Sequence, residues 1–302
     1  MNSKSANRLY MSTILCMIFF LVFYIIAYGI NIGLTSSSLI TEGALIVPTI
    51  IALIVTHYRQ HIAFNNMLNF HKIKLSTVLL IVLFCILLNP LISCVNAITM
   101  LFTDNVVSDI SPAIASTSPI IVILIIGILS PICEELTFRG VIFNAYKNDG
   151  NSILPVIMSA LLFGLMHMNF NQTAYAFVIG IFLALLVNAT QSLWSSIIFH
   201  IIFNSSEVIL MYISALATTT SQDTVDSGIK ISTVLIYAAV SVITTFFALK
   251  VLKLIAKNEG HTDELTASFH ISKIKPQTII SASLIISVLI CTFFMIFSQI
   301  TI

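Results

Sequence analysis

The polar groups of this 302-residue chain concentrate in three short segments of otherwise apolar sequence. The segments are residues 134–140 (EELTFRG), 163–167 (FGLMH) and 200–204 (HIIFN). Together they supply carboxylates, two imidazoles and a carboxamide. A carboxylate can take a proton from water, and imidazole and carboxamide N–H groups can stabilise an oxyanion. If these side chains surround one cavity, the chemistry that they suit is hydrolysis.

The spacing within the segments indicates which groups can meet. Glu135 and Arg139 are four residues apart, so they share a helix face and can form an ion pair. Glu134 projects roughly 100° away from Glu135 and can face the centre of a bundle. His200 and Asn204 also share a face, because four residues separate them as well. One carboxylate is therefore expected to be neutralised by Arg139 while its neighbour stays available.

Simpler interpretations exist for each of these residues. The charges around Arg139 are also typical of a helix end at the cytoplasmic surface. A single histidine inside a membrane, such as His167 or His200, is more often a packed group bonded to a backbone carbonyl. Glu207 extends the stripe of His200 and Asn204, either as a further polar wall or as a residue near the outer membrane boundary. The joint occurrence of carboxylates and histidines favours a site.

Composition predicts an all-α, polytopic bundle of about eight or nine transmembrane helices. Hydrophobic residues make up 58% of the chain and charged residues only 8%, whereas soluble domains carry roughly 25% charged residues. An ionisable group in hydrocarbon costs about 2.5–3.5 kcal/mol, so several in one bundle are expected to face one another or water. The net charge of +1 gives no argument for a nucleic-acid partner. We expect residues 1–302 to form one membrane domain, with the lipid bilayer as its surroundings.

Apolar runs predict nine candidate helices, and the positive-inside rule gives their orientation. The runs cover about 11–32, 39–56, 75–102, 118–145, 153–169, 173–189, 192–216, 231–255 and 278–300. Alternate loops carry the cations, which are Lys4, Arg8, Arg59, Lys72, Lys74, Lys147, Lys253, Lys257, Lys273 and Lys275. The intervening loops carry Asp104, Asp109, Asp223 and Asp226 against Lys230. This alternation predicts a multi-pass cell-membrane protein with a cytoplasmic N-terminus, and we expect the site near the cytoplasmic face.

The three segments resemble the motifs of the CPBP intramembrane proteases. That family includes the CAAX prenyl-protein endopeptidases and bacterial Abi proteins tied to bacteriocin production and self-immunity. The pattern is Glu-Glu-x-x-Phe-Arg-Gly at 134–140, Phe-x-x-x-His at 163–167 and His-x-x-x-Asn at 200–204. The resemblance covers roughly residues 118–210, which we therefore take as the catalytic core.

The resemblance implies an endopeptidase acting on membrane-associated peptides or lipid-anchored proteins. Glu134 would activate water with the help of His167, and His200 and Asn204 would form the oxyanion site. Glu135 and Arg139 would support them. The family is commonly labelled metallo, and Glu134, His167 and His200 would be the ligands of a Zn²⁺ ion if one takes part. No organic cofactor is expected.

Two other functions remain open at this point. The chain could be a non-catalytic immunity or scaffold protein that binds a toxin or partner within the membrane. It could also be a proton-coupled transporter in which Glu and His side chains relay protons. The sequence shows no paired repeat of broken helices, which is typical of a transporter site. Of the three functions, the intramembrane protease is the leading hypothesis.

Overall fold

The structure is a computed structural model, and it describes residues 1–29, 33–103, 113–114, 116–150, 153–220, 231–270 and 279–300. Every regular element in these ranges is helical. In chain order the helices are α1 (Ser3–Tyr28), α2 (Leu34–Gln60), α3 (Phe64–Leu68), α4 (Leu75–Thr99), α5 (Pro119–Lys147), α6 (Ile153–Met166), α7 (Phe170–Thr190), α8 (Leu193–Thr220), α9 (Ile231–Glu259), α10 (Thr262–Ala267) and α11 (Ala282–Ile300).

The prediction of an all-α polytopic bundle is confirmed. Among the described residues, eight helices are long and apolar enough to cross a membrane, namely α1, α2, α4, α5, α7, α8, α9 and α11. Two apolar cores hold them together. One is built mainly from α1, α2, α5, α6 and α11, and the other mainly from α4, α7, α8 and α9, with residues of α5, α6, α7 and α8 contributing to both. The assignment of residues 1–302 to one domain and of 118–210 to its core stays a prediction.

Several helices extend beyond the apolar runs that predicted them. Helix α1 begins at Ser3 rather than near residue 11, because the Asn2 side chain accepts a hydrogen bond from Ser5 N at 3.0 Å and caps it. Helix α2 covers 34–60 instead of 39–56. Hydropathy marks where a helix is apolar, whereas capping and backbone geometry decide where it begins and ends.

Helix α6 is shorter than the predicted span of 153–169. Its 14 residues rise about 21 Å at 1.5 Å per residue, which is less than the hydrocarbon thickness of about 30 Å. Met168 adopts a left-handed conformation with φ 53°, and the Asn169 side chain then caps α7 by accepting from Gln172 N at 2.7 Å. The turn that carries His167 therefore follows the C-terminal end of a helix that is too short to cross the membrane.

Gly164 lets α6 and α7 approach each other beside this turn. A Cβ atom at this position would lie 2.8 Å from the Thr173 carbonyl oxygen and 3.3 Å from Phe177 Cβ. The Thr173 hydroxyl also donates to the Gly164 carbonyl oxygen at 3.1 Å. This close backbone contact fixes the depth of the turn relative to α7.

One end of the bundle gathers the segments that carry the cations. The Lys74 N–H donates to Glu259 Oε1 at 3.0 Å, and the Asn148 amide donates to the Met1 carbonyl at 3.0 Å. These bonds join the start of α4 to the end of α9, and the end of α5 to the N-terminus. We call this end the Lys-bearing face. Its described cations are Lys4, Arg8, Arg59, Lys72, Lys74, Lys147, Lys253 and Lys257.

The other end of the bundle, here called the opposite face, gathers the ends of α4 and α8 and the start of α5. The Tyr212 hydroxyl donates to the carbonyl oxygens of Ile114 at 2.8 Å and Thr117 at 2.7 Å. The Asn171 amide donates to Asn96 Oδ1 at 2.8 Å. The prediction that the described cationic loops share one side is thus confirmed, and the compartment that each face meets stays a prediction. The other charges used in that argument, Asp104, Asp109, Asp223, Asp226, Lys230, Lys273 and Lys275, lie outside the described residues.

The contact at Gly164 gives a stability prediction. We expect Gly164→Ala to lower the free energy of unfolding by about 1–3 kcal/mol, because the added methyl group meets backbone atoms that cannot rotate away. The melting temperature of the detergent-purified protein measures this. Gly43→Ala in α2 is the matched control, since a Cβ there has no neighbour within 4 Å. Equal melting temperatures for the two variants would contradict the argument.

Candidate active site

A buried ion pair on α5 forms the base of the site. Arg139 Nη1 donates to Glu135 Oε1 at 2.8 Å, and both side chains are 0% exposed. Arg139 Nη2 donates to the Gly180 carbonyl at 3.1 Å, and its guanidinium carbon lies 4.5 Å from the centre of the Phe163 ring. The predicted pairing is confirmed. The simpler interpretation, in which Arg139 decorates a helix end at the surface, is wrong.

Gly180 on α7 makes room for this arginine. A Cβ atom at 180 would lie 3.1 Å from Arg139 Nη2 and 2.9 Å from Ala160 Cα. The same glycine supplies the carbonyl oxygen that Arg139 binds. Helix α7 therefore contributes backbone rather than side chain to the ion pair, and the motif pattern did not include this position.

His200 on α8 connects the two adjacent glutamates of α5. Its Nδ1 lies 3.0 Å from Glu135 Oε1, and its Nε2 lies 3.5 Å from Glu134 Oε2. Because Glu135 is paired with Arg139, it accepts a hydrogen bond, so His200 Nδ1 carries a proton and donates it. This bond sets the orientation of the ring and directs Nε2 at Glu134. The order Arg139–Glu135–His200–Glu134 is a continuous polar chain.

The four residues predicted to be catalytic line one cavity of about 470 Å³. They are Glu134, His167, His200 and Asn204. Glu207 also lines this cavity, which supports its interpretation as a polar wall. Glu135 and Arg139 lie behind His200 and act on the cavity through it. The side chains that the sequence predicted to meet therefore line one cavity in the structure.

Phe163 fixes both imidazoles from one side. Its ring centre lies 5.4 Å from that of His167 and 5.7 Å from that of His200, with interplanar angles of 76° and 88°. Edge-to-face arrangements of this kind are favoured for aromatic rings. The same ring faces the Arg139 guanidinium, so one side chain orders a cation and two histidines. The phenylalanine that begins the second motif is thus a positioning residue.

A proline on α5 explains how α8 is attached beside the cavity. Pro131 has no N–H, so the carbonyl oxygens of Ile126 and Gly127, its potential acceptors five and four residues earlier, lose a helical donor. Asn204 Nδ2 donates to Ile126 O at 3.3 Å, and Ser205 Oγ donates to Gly127 O at 3.3 Å. The flanking stretches Ile123–Leu129 and Leu136–Phe143 are π-helical, a geometry often found at functional sites. Asn204 keeps a second N–H for the cavity.

Glu42 on α2 is a cavity carboxylate that sequence reasoning missed. It is 5% exposed, it lines the cavity together with Glu134, and it accepts a hydrogen bond from the Ser130 hydroxyl. It also lies close enough to Glu134 for the two carboxyl groups to interact electrostatically. The signal was available, because Glu42 is the only acidic residue among the first 103 and lies inside a predicted span. It belongs to none of the three motifs and was therefore passed over.

The arrangement does not fit a zinc ion held by Glu134, His167 and His200. Such a site needs three ligand atoms within about 2.0–2.2 Å of one point. Among the described residues, no group of three His, Cys, Asp or Glu side chains has that arrangement. The steps proposed below are therefore written for the protein's own groups.

Comparison with known proteins supports the family resemblance seen in the sequence. Residues 116–206 match the family described as "Rce1-like: Type II CAAX prenyl endopeptidase Rce1-like". A stretch of 90 residues is 29% identical to "Putative membrane peptidase YdiL" of Bacillus subtilis (strain 168). The resemblance to the CPBP intramembrane proteases is confirmed. The matched range contains all six predicted site residues, whereas Glu42 and Glu207 lie outside 116–206.

These matches cover only part of each protein. The alignment with the Bacillus protein spans 30% of this chain and 37% of the relative, so the chain covers little more than a third of that protein's length. No solved structure matches the chain significantly. The CPBP family is therefore supported by the segment that carries the cavity, while activity and substrate are matters of proposal.

The buried pair gives a second stability prediction. Arg139→Met alone leaves Glu135 charged and buried, and we expect it to cost about 3–5 kcal/mol of the free energy of unfolding. Replacing both residues, as in Glu135→Leu with Arg139→Met, removes that uncompensated charge and is expected to recover much of the loss. Melting temperatures of the three proteins test this. A double variant no more stable than the single one would show that the ion pair is not the cause.

Proposed function

We propose that this chain is an intramembrane endopeptidase in which Glu134 activates water for attack on a peptide bond. The observation that carries the proposal is the cavity in which Glu134, His167, His200 and Asn204 meet, with His200 Nε2 3.5 Å from Glu134 Oε2. The resemblance of residues 116–206 to CAAX-type endopeptidases supports the same reaction. The substrate is a membrane-associated peptide or a lipid-anchored protein.

The polar chain allows Glu134 to exist as a base inside the membrane. With His200 doubly protonated, the chain holds two cations, Arg139 and His200, and two carboxylates, Glu135 and Glu134. With the proton on Glu134 and His200 neutral, the chain holds one cation, Arg139, and one carboxylate, Glu135. The cluster is electrically neutral in both states, so moving this proton does not create an uncompensated buried charge.

Hydrolysis follows from this proton distribution. Glu134 takes a proton from water as the water oxygen bonds to the substrate carbonyl carbon. The protonated Glu134 no longer competes for His200 Nε2–H, and that group and the second N–H of Asn204 donate to the oxyanion. Glu134 then gives the proton to the amide nitrogen as the carbon–nitrogen bond breaks. His167, at the turn after α6, aids the placement of the attacking water.

The principal test compares the two buried glutamates of the same cavity. We expect Glu134→Gln to lower peptide cleavage by at least about 100-fold, because glutamine keeps the shape but cannot accept the proton. Glu42→Gln is the matched control, equally buried but on α2, and we expect it to retain activity within about tenfold. The assay compares secreted and membrane peptides, by mass spectrometry, in cells that express each protein at equal level.

Two outcomes of this comparison would contradict the proposal. Full cleavage by Glu134→Gln would exclude Glu134 as the base, and loss of cleavage only in Glu42→Gln would transfer the role to α2. If neither variant nor the parent protein changes the peptide profile, a non-catalytic immunity or scaffold function becomes the better reading. Membrane levels of each variant, measured by immunoblot, separate these results from failed insertion.

The oxyanion role of Asn204 gives a further prediction. We expect Asn204→Leu to lower kcat about 10²–10³-fold, the usual effect of losing one oxyanion donor, with little change in KM. Asn204 also anchors α8 to Ile126, so the control is Ser205→Ala, which removes the neighbouring anchor to Gly127. The control should keep near-parent kcat. Equal losses in both variants would show that Asn204 acts through helix attachment alone.

A further inference from the structure

The cavity that holds the catalytic side chains extends toward one end of the bundle only. Beyond Glu134 and His200 it is lined by the first turns of α2, the last turns of α4 and the part of α8 that follows His200. Examples are Ser38 near the start of α2, Asn96 near the end of α4 and Met211 on α8. Ile114, whose carbonyl binds Tyr212, lines it too. All of these positions belong to the opposite face.

Packed side chains close the cavity toward the Lys-bearing face. Phe138, one turn after Glu134 on α5, is 0% exposed and lies 5.3 Å from the Phe163 ring. Two residues further along α5, Leu68 of α3 and Leu193 of α8 pack over Gly140, where an added Cβ would lie 2.6 and 3.4 Å from their methyl groups. A separate cavity of about 490 Å³ lies beyond this layer and includes Lys147 but none of the site residues. The layer therefore divides the two cavities.

The described cations locate the cytoplasm at the closed end. Cationic loops are retained on the cytoplasmic side of a membrane protein, and eight of the described Lys and Arg residues lie at the Lys-bearing face. The described residues near the opposite face, 28–29, 33–34, 99–103, 113–114 and 116–119, contain none. Since the cavity extends toward the opposite face, its mouth is on the extracytoplasmic side.

Charge indicates what the cavity accepts. Besides Glu134, whose charge the Arg139–Glu135–His200 cluster balances, two carboxylates, those of Glu42 and Glu207, lie among its described lining residues, whereas none of these residues is Lys or Arg. Hydroxyl and amide side chains, for example those of Ser38 and Asn96, form the rest of the polar part of the cavity wall. A cleft lined by one sign of charge concentrates ligands of the other sign. A peptide backbone with neutral or basic side chains fits this wall, and an acidic segment does not.

We propose that the catalytic cavity is loaded from the extracytoplasmic side, by peptide segments of neutral or positive charge. The proposal rests on the proposed peptidase function for the nature of the ligand, but not for the direction of entry. It replaces the expectation from the sequence that the site lies near the cytoplasmic face. Substrates would accordingly be exported peptides or the outer parts of membrane-anchored proteins, rather than chains that approach from the cytoplasm.

Cysteine labelling in intact cells tests the direction of entry. Ser38→Cys places a thiol in the cavity, and Ser76→Cys, an exposed position in the first turn of α4, places one at the Lys-bearing face. A membrane-impermeant maleimide should label Ser38→Cys in intact cells and Ser76→Cys only in inverted vesicles. The parent protein, whose five cysteines are buried or half-buried, sets the background. Labelling of Ser38→Cys only from the cytoplasmic side, or from neither side, would overturn the proposal.

The same thiol reports the charge preference. Cationic and anionic methanethiosulfonate reagents are compared at Ser38→Cys, each relative to its rate with free cysteine. The cationic reagent should be favoured about tenfold, and the preference should shrink when Glu207→Gln is added. Equal relative rates would refute the charge preference. Repeating the assay for the direction of entry with Glu134→Gln separates the two proposals, because labelling needs no catalysis: labelling from the same side as before supports the entry route even if the peptidase function fails.

Discussion

The bond between His200 and Glu135 is the interaction on which the site depends, because it joins α8 to α5 and decides which way the imidazole points. Glu135 can hold this position only while Arg139 neutralises it, and Arg139 is held in turn by a carbonyl of α7 and the ring of Phe163. Three helices therefore meet around one guanidinium. Glu135 takes the bonds from both Arg139 and His200 Nδ1, while Glu134, its neighbour in sequence, lines the cavity.

The fold supplies the conditions that this polar chain needs. Two apolar cores, on either side of α5, α7 and α8, exclude lipid and water from the ion pair. Glycines at 164 and 180 bring α6, α7 and the arginine close enough to make backbone contacts. Small residues at helix contacts are typical of membrane bundles, where close packing and interhelical hydrogen bonds replace the hydrophobic effect as the force between helices. The same contacts that stabilise the bundle thus position the histidines.

Much of this arrangement could be predicted from the sequence, and the limits are physical. The Glu135–Arg139 pair follows from helical periodicity alone, and the separation of Glu134 from Glu135 follows from the same geometry. The link from His200 to both carboxylates needs the packing of α8 on α5, which no local pattern encodes. Glu42 was missed because this residue belongs to none of the three segments. A charged residue inside an apolar run was nevertheless the signal that identified the other site residues. The early end of α6 could not be predicted from hydropathy, because the chain turns at an apolar residue, Met168, in a left-handed conformation.

The length of α6 has a consequence for how such a protein can change over time. The helix is tied at one end by the bond from Ile153 N to the His270 carbonyl, at 3.0 Å, and at the other by the Gly164–Thr173 contact. One inserted residue between these ties would turn His167 by roughly 100° and shift it by about 1.5 Å. We therefore expect homologous chains to keep the number of residues from 153 to 167, whereas apolar side chains of α6 other than the tightly packed Ala160, Phe163 and Gly164 can be exchanged for others of similar size.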